Sequence, residues 1–116
     1  METVRQLLDR KGNDTITIEV NATVFEALKL MAEHNVGALV ITREEHIAGI
    51  LSERDYARKI ILKGRVSHDT PVSEIMTEDV ASIDPERPIG ASMSLMTDKR
   101  IRHLPVVEKG RLSGVI

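Results

Sequence analysis

Val36-Gly37-Ala38-Leu39-Val40-Ile41-Thr42, then Arg43-Glu44-Glu45-His46, then Ile47-Ala48-Gly49-Ile50-Leu51, is the stretch that decides the fold. Two apolar runs joined by a short polar link read as a β-hairpin. The pattern returns 65 residues later as Ile101-Arg102-His103-Leu104-Pro105-Val106-Val107, Glu108-Lys109-Gly110-Arg111 and Leu112-Ser113-Gly114-Val115-Ile116. Gly49 falls on Gly114 and Leu39 on Leu104.

The register extends outward without a gap, from Ile16/Ala81 to Leu51/Ile116. It pairs Ile18 with Ile83, Val24 with Ile89, Leu28 with Met93, Leu30 with Leu95 and Met31 with Met96. A period this long exceeds that of a small solenoid and suits a duplicated domain half. Half of 116 residues is too little to bury a sufficient core, so the two copies are expected to pack as one unit.

Each copy opens with a short helical stretch, Val4–Leu8 or Val72–Met76, the latter introduced by Thr70-Pro71 as cap and first helical residue. A short strand follows, around Thr15–Val20 or Val80–Ile83. Then comes a helix, signalled in the first copy by Thr23-x-x-Glu26 and by Val24, Leu28, Met31 and Ala32 at helical spacing. The hairpin completes the unit. In the first copy a last helix, Glu53–Leu62, stops at Gly64. The second copy ends at Ile116, before its counterpart of that helix, and is expected to be truncated. The domains expected are a first repeat over 1–64, a linker over 65–71 and an incomplete second repeat over 72–116.

Composition narrows the function. Hydrophobic residues make up 41% and charged residues 29%, as in globular chains. Phe25 and Tyr56 are the only aromatics, so the core is aliphatic and base stacking on nucleic acid has little to work with. The net charge of −2 gives no attraction to a polyanion. Lack of cysteine excludes disulfides, thiolate zinc sites and cysteine nucleophiles. No apolar run approaches the ~20 residues of a membrane span, and the start does not read as a signal peptide. No nucleic-acid or membrane partner is expected, and the cytoplasm is the expected compartment. The four histidines, 34, 46, 68 and 103, show no metal-ligand spacing, and no phosphate loop or nucleophile elbow is present. Neither a metal nor catalysis is expected.

Asn35–Ile41, Ile47–Asp55 and Arg100-Ile101-Arg102-His103-Leu104-Pro105-Val106-Val107 together resemble a tandem pair of CBS domains, a Bateman module. The chain is similar to stand-alone bacterial and organellar proteins made of one such pair. The resemblance implies an α+β fold of two β-α-β-β-α units packed as one pseudo-twofold module. It implies a regulatory role, in which an adenosine-containing ligand (AMP, ADP, ATP, S-adenosylmethionine or NAD) in the cleft between the repeats is reported to a partner enzyme or transporter. A homodimer is expected, and a ligand-free assembly module or a regulatory fragment of a larger protein is the alternative.

The resemblance also implies site residues. The family's Gly-x-x-Ser/Thr-x-x-Asp segment, which holds ribose, reads here Gly49-Ile50-Leu51-Ser52-Glu53-Arg54-Asp55. A carboxylate accepts from both ribose hydroxyls, and a helix start offers amides to phosphate. Ser52-x-x-Asp55 equally reads as an ordinary helix cap. Arg102 and His103 are implied as phosphate contacts, with Arg54, Arg58 and Lys11 as further donors. Ile16, Val36 and Ala81 would flank adenine. By family geometry Ser52 and Asp55 work with Val80, Ala81 and Ile101, whereas Arg102 and His103 work with Ile16, Val36 and Gly37. The two copies match in scaffold and differ in chemistry, since Gly37 and Ala38 stand where Arg102 and His103 stand.

Overall fold

The computed structural model describes residues 1–12 and 15–116. In chain order the elements are α1 (Val4–Lys11), β1 (Thr17–Glu19), α2 (Val24–His34), β2 (Ala38–Arg43), β3 (His46–Ser52), α3 (Glu53–Tyr56), α4 (Ile89–Lys99), β4 (Pro105–Glu108) and β5 (Arg111–Val115). A π-helical stretch, Ala57–Ile61, prolongs α3, and one 3-10 turn spans Val72–Glu74. The mixed helix-and-sheet fold and the two repeats agree with the sequence reading. The chain forms two compact units: Ile16–Val80, and Met1–Thr15 together with Ala81–Ile116.

In the Ile16–Val80 unit the sheet order is β1-β2-β3, with β1 parallel to β2 and β2 antiparallel to β3. Parallel neighbours need a crossover, and α2 supplies it. The Thr23 hydroxyl accepts from the Glu26 amide (3.1 Å), and the Glu26 carboxylate accepts from the Thr23 amide (3.0 Å). Donation to that carboxylate from the Thr23 amide, and then from the Thr23 hydroxyl (3.0 Å), holds the Glu26 carboxyl below its ordinary range. Val24, Ala27 and Met31 of α2 meet Leu39, Ile41 and Leu51 of the sheet, and Ile60, Val72, Ile75 and Met76 complete the buried cluster.

In the other unit β4 and β5 form the second hairpin, and Ile83 makes a parallel bridge to Val106. That bridge is the counterpart of Ile18 beside Ile41 in the first sheet, at the same 65-residue offset. Val4 and Leu8 of α1 are buried with Ile83, Leu104 and Val106. Arg5 pairs with Glu86 at 2.6 Å and also with Glu108.

The duplication extends to backbone detail. The register shift in the hairpin lies at Ile41/Thr42 in one sheet and at Val106/Val107 in the other. Left-handed residues end both long helices, Asn35 (φ 53°) and Arg100 (φ 56°). Both hairpin turns carry two positive φ angles, at Glu44 and Glu45 and at Lys109 and Gly110.

Three local expectations change. The helix expected over Val72–Met76 shrinks to one 3-10 turn because Thr77 leaves it to pair with Ile50 (2.8 and 2.9 Å). Pro71 precedes that turn instead of opening it, and the Thr70 hydroxyl donates to the Val66 carbonyl instead of capping. The strand expected over Val80–Ile83 is reduced to the Ile83 bridge, because Asp84 starts a turn whose side chain accepts from the Glu86 amide (2.8 Å).

Gly49 and Gly114 explain what each hairpin packs on. A Cβ at Gly49 would stand 2.8 Å from Met76 Sδ and from the Thr77 carbonyl, and one at Gly114 would stand 2.9 Å from Leu8 Cδ2. Leu8 and Met76 occupy matching places in the opening segments of the two copies. Each glycine therefore admits the opening segment of the other copy. No helix among the described residues is long and apolar enough to cross a membrane.

Candidate functional site around Asp55

Strand β3 ends at Ser52, which pairs with Ala38 of β2, and its extended backbone (φ −118°, ψ 164°) turns the chain into α3. The Ser52 hydroxyl accepts from the Asp55 amide (3.2 Å) and donates to Asp55 Oδ2 (3.1 Å), while the Ser52 amide donates to the same oxygen (3.0 Å). The capping reading of this motif is thus realised. The Glu53 amide donates to the Gly37 carbonyl (3.1 Å), so two of the first three amides of α3 already have partners.

Asp55 is only 8% exposed. Its carboxylate meets two further groups. The Thr77 hydroxyl donates to Oδ1 at 3.3 Å, with Oδ2 at 3.5 Å, and Lys59 Nζ lies 3.1 Å from Oδ1. Lys59 also donates to the Ile75 carbonyl (2.9 Å). Neither Thr77 nor Lys59 figures in the sequence reading. Lys59 was legible as the basic member of an i,i+4 pair. Thr77 lies 22 residues from Asp55 and has no local signal, since its place depends on the close approach at Gly49.

Val36 and Gly37 immediately precede β2, and the Gly37 carbonyl meets this helix start. The Glu53 carboxylate folds over Gly37, 2.8 Å from where a Cβ would stand. Ile16 packs half-buried against the same apolar cluster as Val36. Val80 is half-buried at the end of this unit, its amide bonded to the Glu78 carbonyl (2.9 Å). Arg54 and Arg58 are exposed and form no ion pair among the described residues.

The remaining sequence-predicted residues lie together in the other unit. Ala81 and Ile101 are half-buried against its core, and Arg102 and His103 are exposed just before fully buried Leu104. Lys11, at the end of α1, is near enough to act on His103. Partial desolvation of the ring, and then the positive charges of Lys11 and Arg102, hold the His103 pKa below its ordinary value. An imidazole so placed is neutral near neutral pH, with one donor and one acceptor nitrogen. The cations beside it are Arg102 and Lys11, which suit an anion.

The Asp55 carboxylate is thus surrounded by hydrogen-bond donors and one cation, all directed at its oxygens. Among the described residues no group of three or more histidine and carboxylate side chains is placed to hold a metal ion. A broad open depression of about 690 Å³ beside α1 is lined by Met1, Glu2, Gln6, Asp9 and Arg10 and includes none of the predicted site residues.

The family profile described as CBS domain matches residues 4–62 and 72–116. A curated relative, the mitochondrial CBS domain-containing protein CBSX3 of Arabidopsis thaliana, is 40% identical over 98% of this chain; the chain spans 60% of that protein's length. A solved CBS-domain structure from Burkholderia ambifaria is 45% identical, covers 99% of this chain and 87% of its own, and superposes with a TM-score of 0.92. The CBS domain pair of protein MJ0100, solved in complex with 5′-methylthioadenosine and S-adenosyl-L-methionine, is 25% identical, covers 100% of this chain and 89% of its own, and gives a TM-score of 0.87.

Proposed function

The chain belongs to the CBS-domain family, with two copies of the domain, and on that footing we propose that it is a regulatory module that binds an adenosine-containing ligand. AMP, ATP and NAD are the candidate nucleotides, and the two sulfur-bearing adenosine compounds held by the MJ0100 pair widen the class. The ligand's occupancy is passed to a partner protein, an enzyme or a transporter, and the module itself performs no catalysis.

The observation that carries this reading is the Asp55 carboxylate, held rigidly at a helix start where the family motif places its ribose acceptor. A cis-diol presents two donors at the spacing of one carboxylate, and the exposed guanidiniums of Arg54 and Arg58 offer charge to a phosphate. Arg102, His103 and Lys11 supply a second, chemically different anion contact.

A thermal-shift series with AMP, ATP, NAD, S-adenosylmethionine and methylthioadenosine tests the proposal. A ligand at a hundred times its dissociation constant adds about 2.7 kcal/mol to native stability. At least one compound is expected to raise Tm by several degrees, and Asp55→Asn is expected to abolish the rise while leaving the protein folded. If no adenosine compound shifts Tm at millimolar concentration, the reading is wrong.

A second reading, self-assembly without a ligand, has its own observation. Phe25, Ile61, Leu62 and Val66 are 42%, 58%, 77% and 54% exposed within one unit. Sedimentation that gives a dimer indifferent to nucleotide favours it.

A further inference from the structure

Asp55 is already saturated. A carboxylate has about four lone-pair positions. Here four donor groups meet them: the Ser52 amide, the Ser52 hydroxyl, the Thr77 hydroxyl and the Lys59 ammonium. A ribose diol brings two more donors and needs two places. On Oδ2 the Ser52 amide is fixed by the cap of α3, and the Ser52 hydroxyl, held in place by the Asp55 amide, stays beside that oxygen even when its O–H turns. The exchangeable partners are the two on Oδ1, Thr77 and Lys59. The Thr77 hydroxyl can rotate. Lys59 has to withdraw its ammonium.

We propose that Lys59 is an internal competitor for the adenosine site, its ammonium holding the Asp55 oxygen that a ribose hydroxyl takes when a ligand binds. This rests on the reading of Asp55 as the ribose acceptor. The geometry suits a displaceable occupant. The Lys59 side chain is 42% exposed, so it can swing into water, whereas that of Asp55 is 11% exposed and stays. The π-helical stretch carries Lys59 over the carboxylate and, through the Ile75 carbonyl, joins it to the segment that ends at Thr77. Ligand entry therefore breaks a tie between two segments, which gives an occupied site a structural consequence within the unit.

The test uses adenosine as probe, because a neutral ligand does not respond to the lost positive charge as a phosphate would. Affinity is measured by calorimetry at one and the same pH for every protein. A partly exposed ion pair is a weak competitor, so Lys59→Met is expected to bind adenosine about two- to five-fold more tightly than the parent. Lys59→Gln keeps a donor for the Ile75 carbonyl without the charge and is expected to do the same, which covers the case in which Lys59→Met fails to fold. Lys59→Arg is expected to stay near the parent value. Unchanged or weaker binding by folded Lys59→Met and Lys59→Gln, with the parent binding normally, overturns the competitor role and leaves the adenosine site standing. No binding by the parent or by any variant overturns both. Binding that appears only when Lys59 is replaced supports the competition.

Discussion

The His103 ring is partly desolvated and has two cations close by, Lys11 and Arg102. Burial disfavours the charged form, and the two cations repel the proton. The folded-state pKa is therefore below the unfolded one, and the sign of the linkage follows. Stability is level above the ordinary imidazole value of about 6.5. It falls as pH drops through that value toward the lower folded one, because the unfolded chain takes up the proton first. In urea melts at successive pH values, His103→Gln is expected to lose this part of the acid slope and to match the parent at neutral pH. A phosphate-bearing ligand on Lys11 and Arg102 would offset the repulsion and raise the imidazole midpoint seen by NMR. A midpoint at the ordinary value, unmoved by AMP, contradicts this account. Lys11 and Arg102 were each legible in the sequence as phosphate donors, but the nearness of Lys11 to His103 was not, because it depends on α1 packing in the same unit as β4 and β5.

Among the elements, the hairpins carry the strongest test of how the fold is assembled. Gly49 and Gly114 are equivalent in sequence, yet they meet different obstacles. At Gly49 an added Cβ runs into the Thr77 carbonyl, which is backbone held by two bonds to Ile50. At Gly114 it runs into the tip of Leu8, which can change rotamer. Gly49→Ala is therefore expected to destabilise the protein by about 2–3 kcal/mol, and Gly114→Ala by about 1 kcal/mol, as read by chemical denaturation. Equal losses at the two positions would show that the contacts are not as described. Elements with a local signal were legible: the Thr23-Glu26 cap, the eleven-residue α2 and both hairpins match the residues that announced them. The shortened Val72–Glu74 turn was not, because the pairing of Thr77 with Ile50 that ends it is a long-range contact. The same holds for Asp55. Its cap was written in Ser52-x-x-Asp55, whereas its saturation by Thr77 depends on that pairing.

For the whole molecule, the copies visible in the sequence and the units that bury their cores divide the chain at different places. The repeat period runs continuously from Ile16/Ala81 to Leu51/Ile116, whereas the compact units are Ile16–Val80 and the remainder. The difference lies in the opening segments. Val72, Ile75 and Met76 are buried with the first hairpin, and Val4 and Leu8 with the second. Periodicity reports which residues are alike, and is silent on which copy of a segment closes over which sheet. Burying side chains of this size is worth about 1.5–3 kcal/mol each, so a unit deprived of its opening segment loses much of its marginal stability. A fragment of residues 16–80 keeps its whole buried cluster and is expected to unfold cooperatively. A fragment of 1–64 lacks Val72, Ile75 and Met76, and a fragment of 72–116 lacks Val4 and Leu8; both are expected to be unfolded in isolation. Circular dichroism melts of the three peptides decide the matter. A sharp transition for 1–64 with none for 16–80 would mean that the copies, and not the units, are the folding entities.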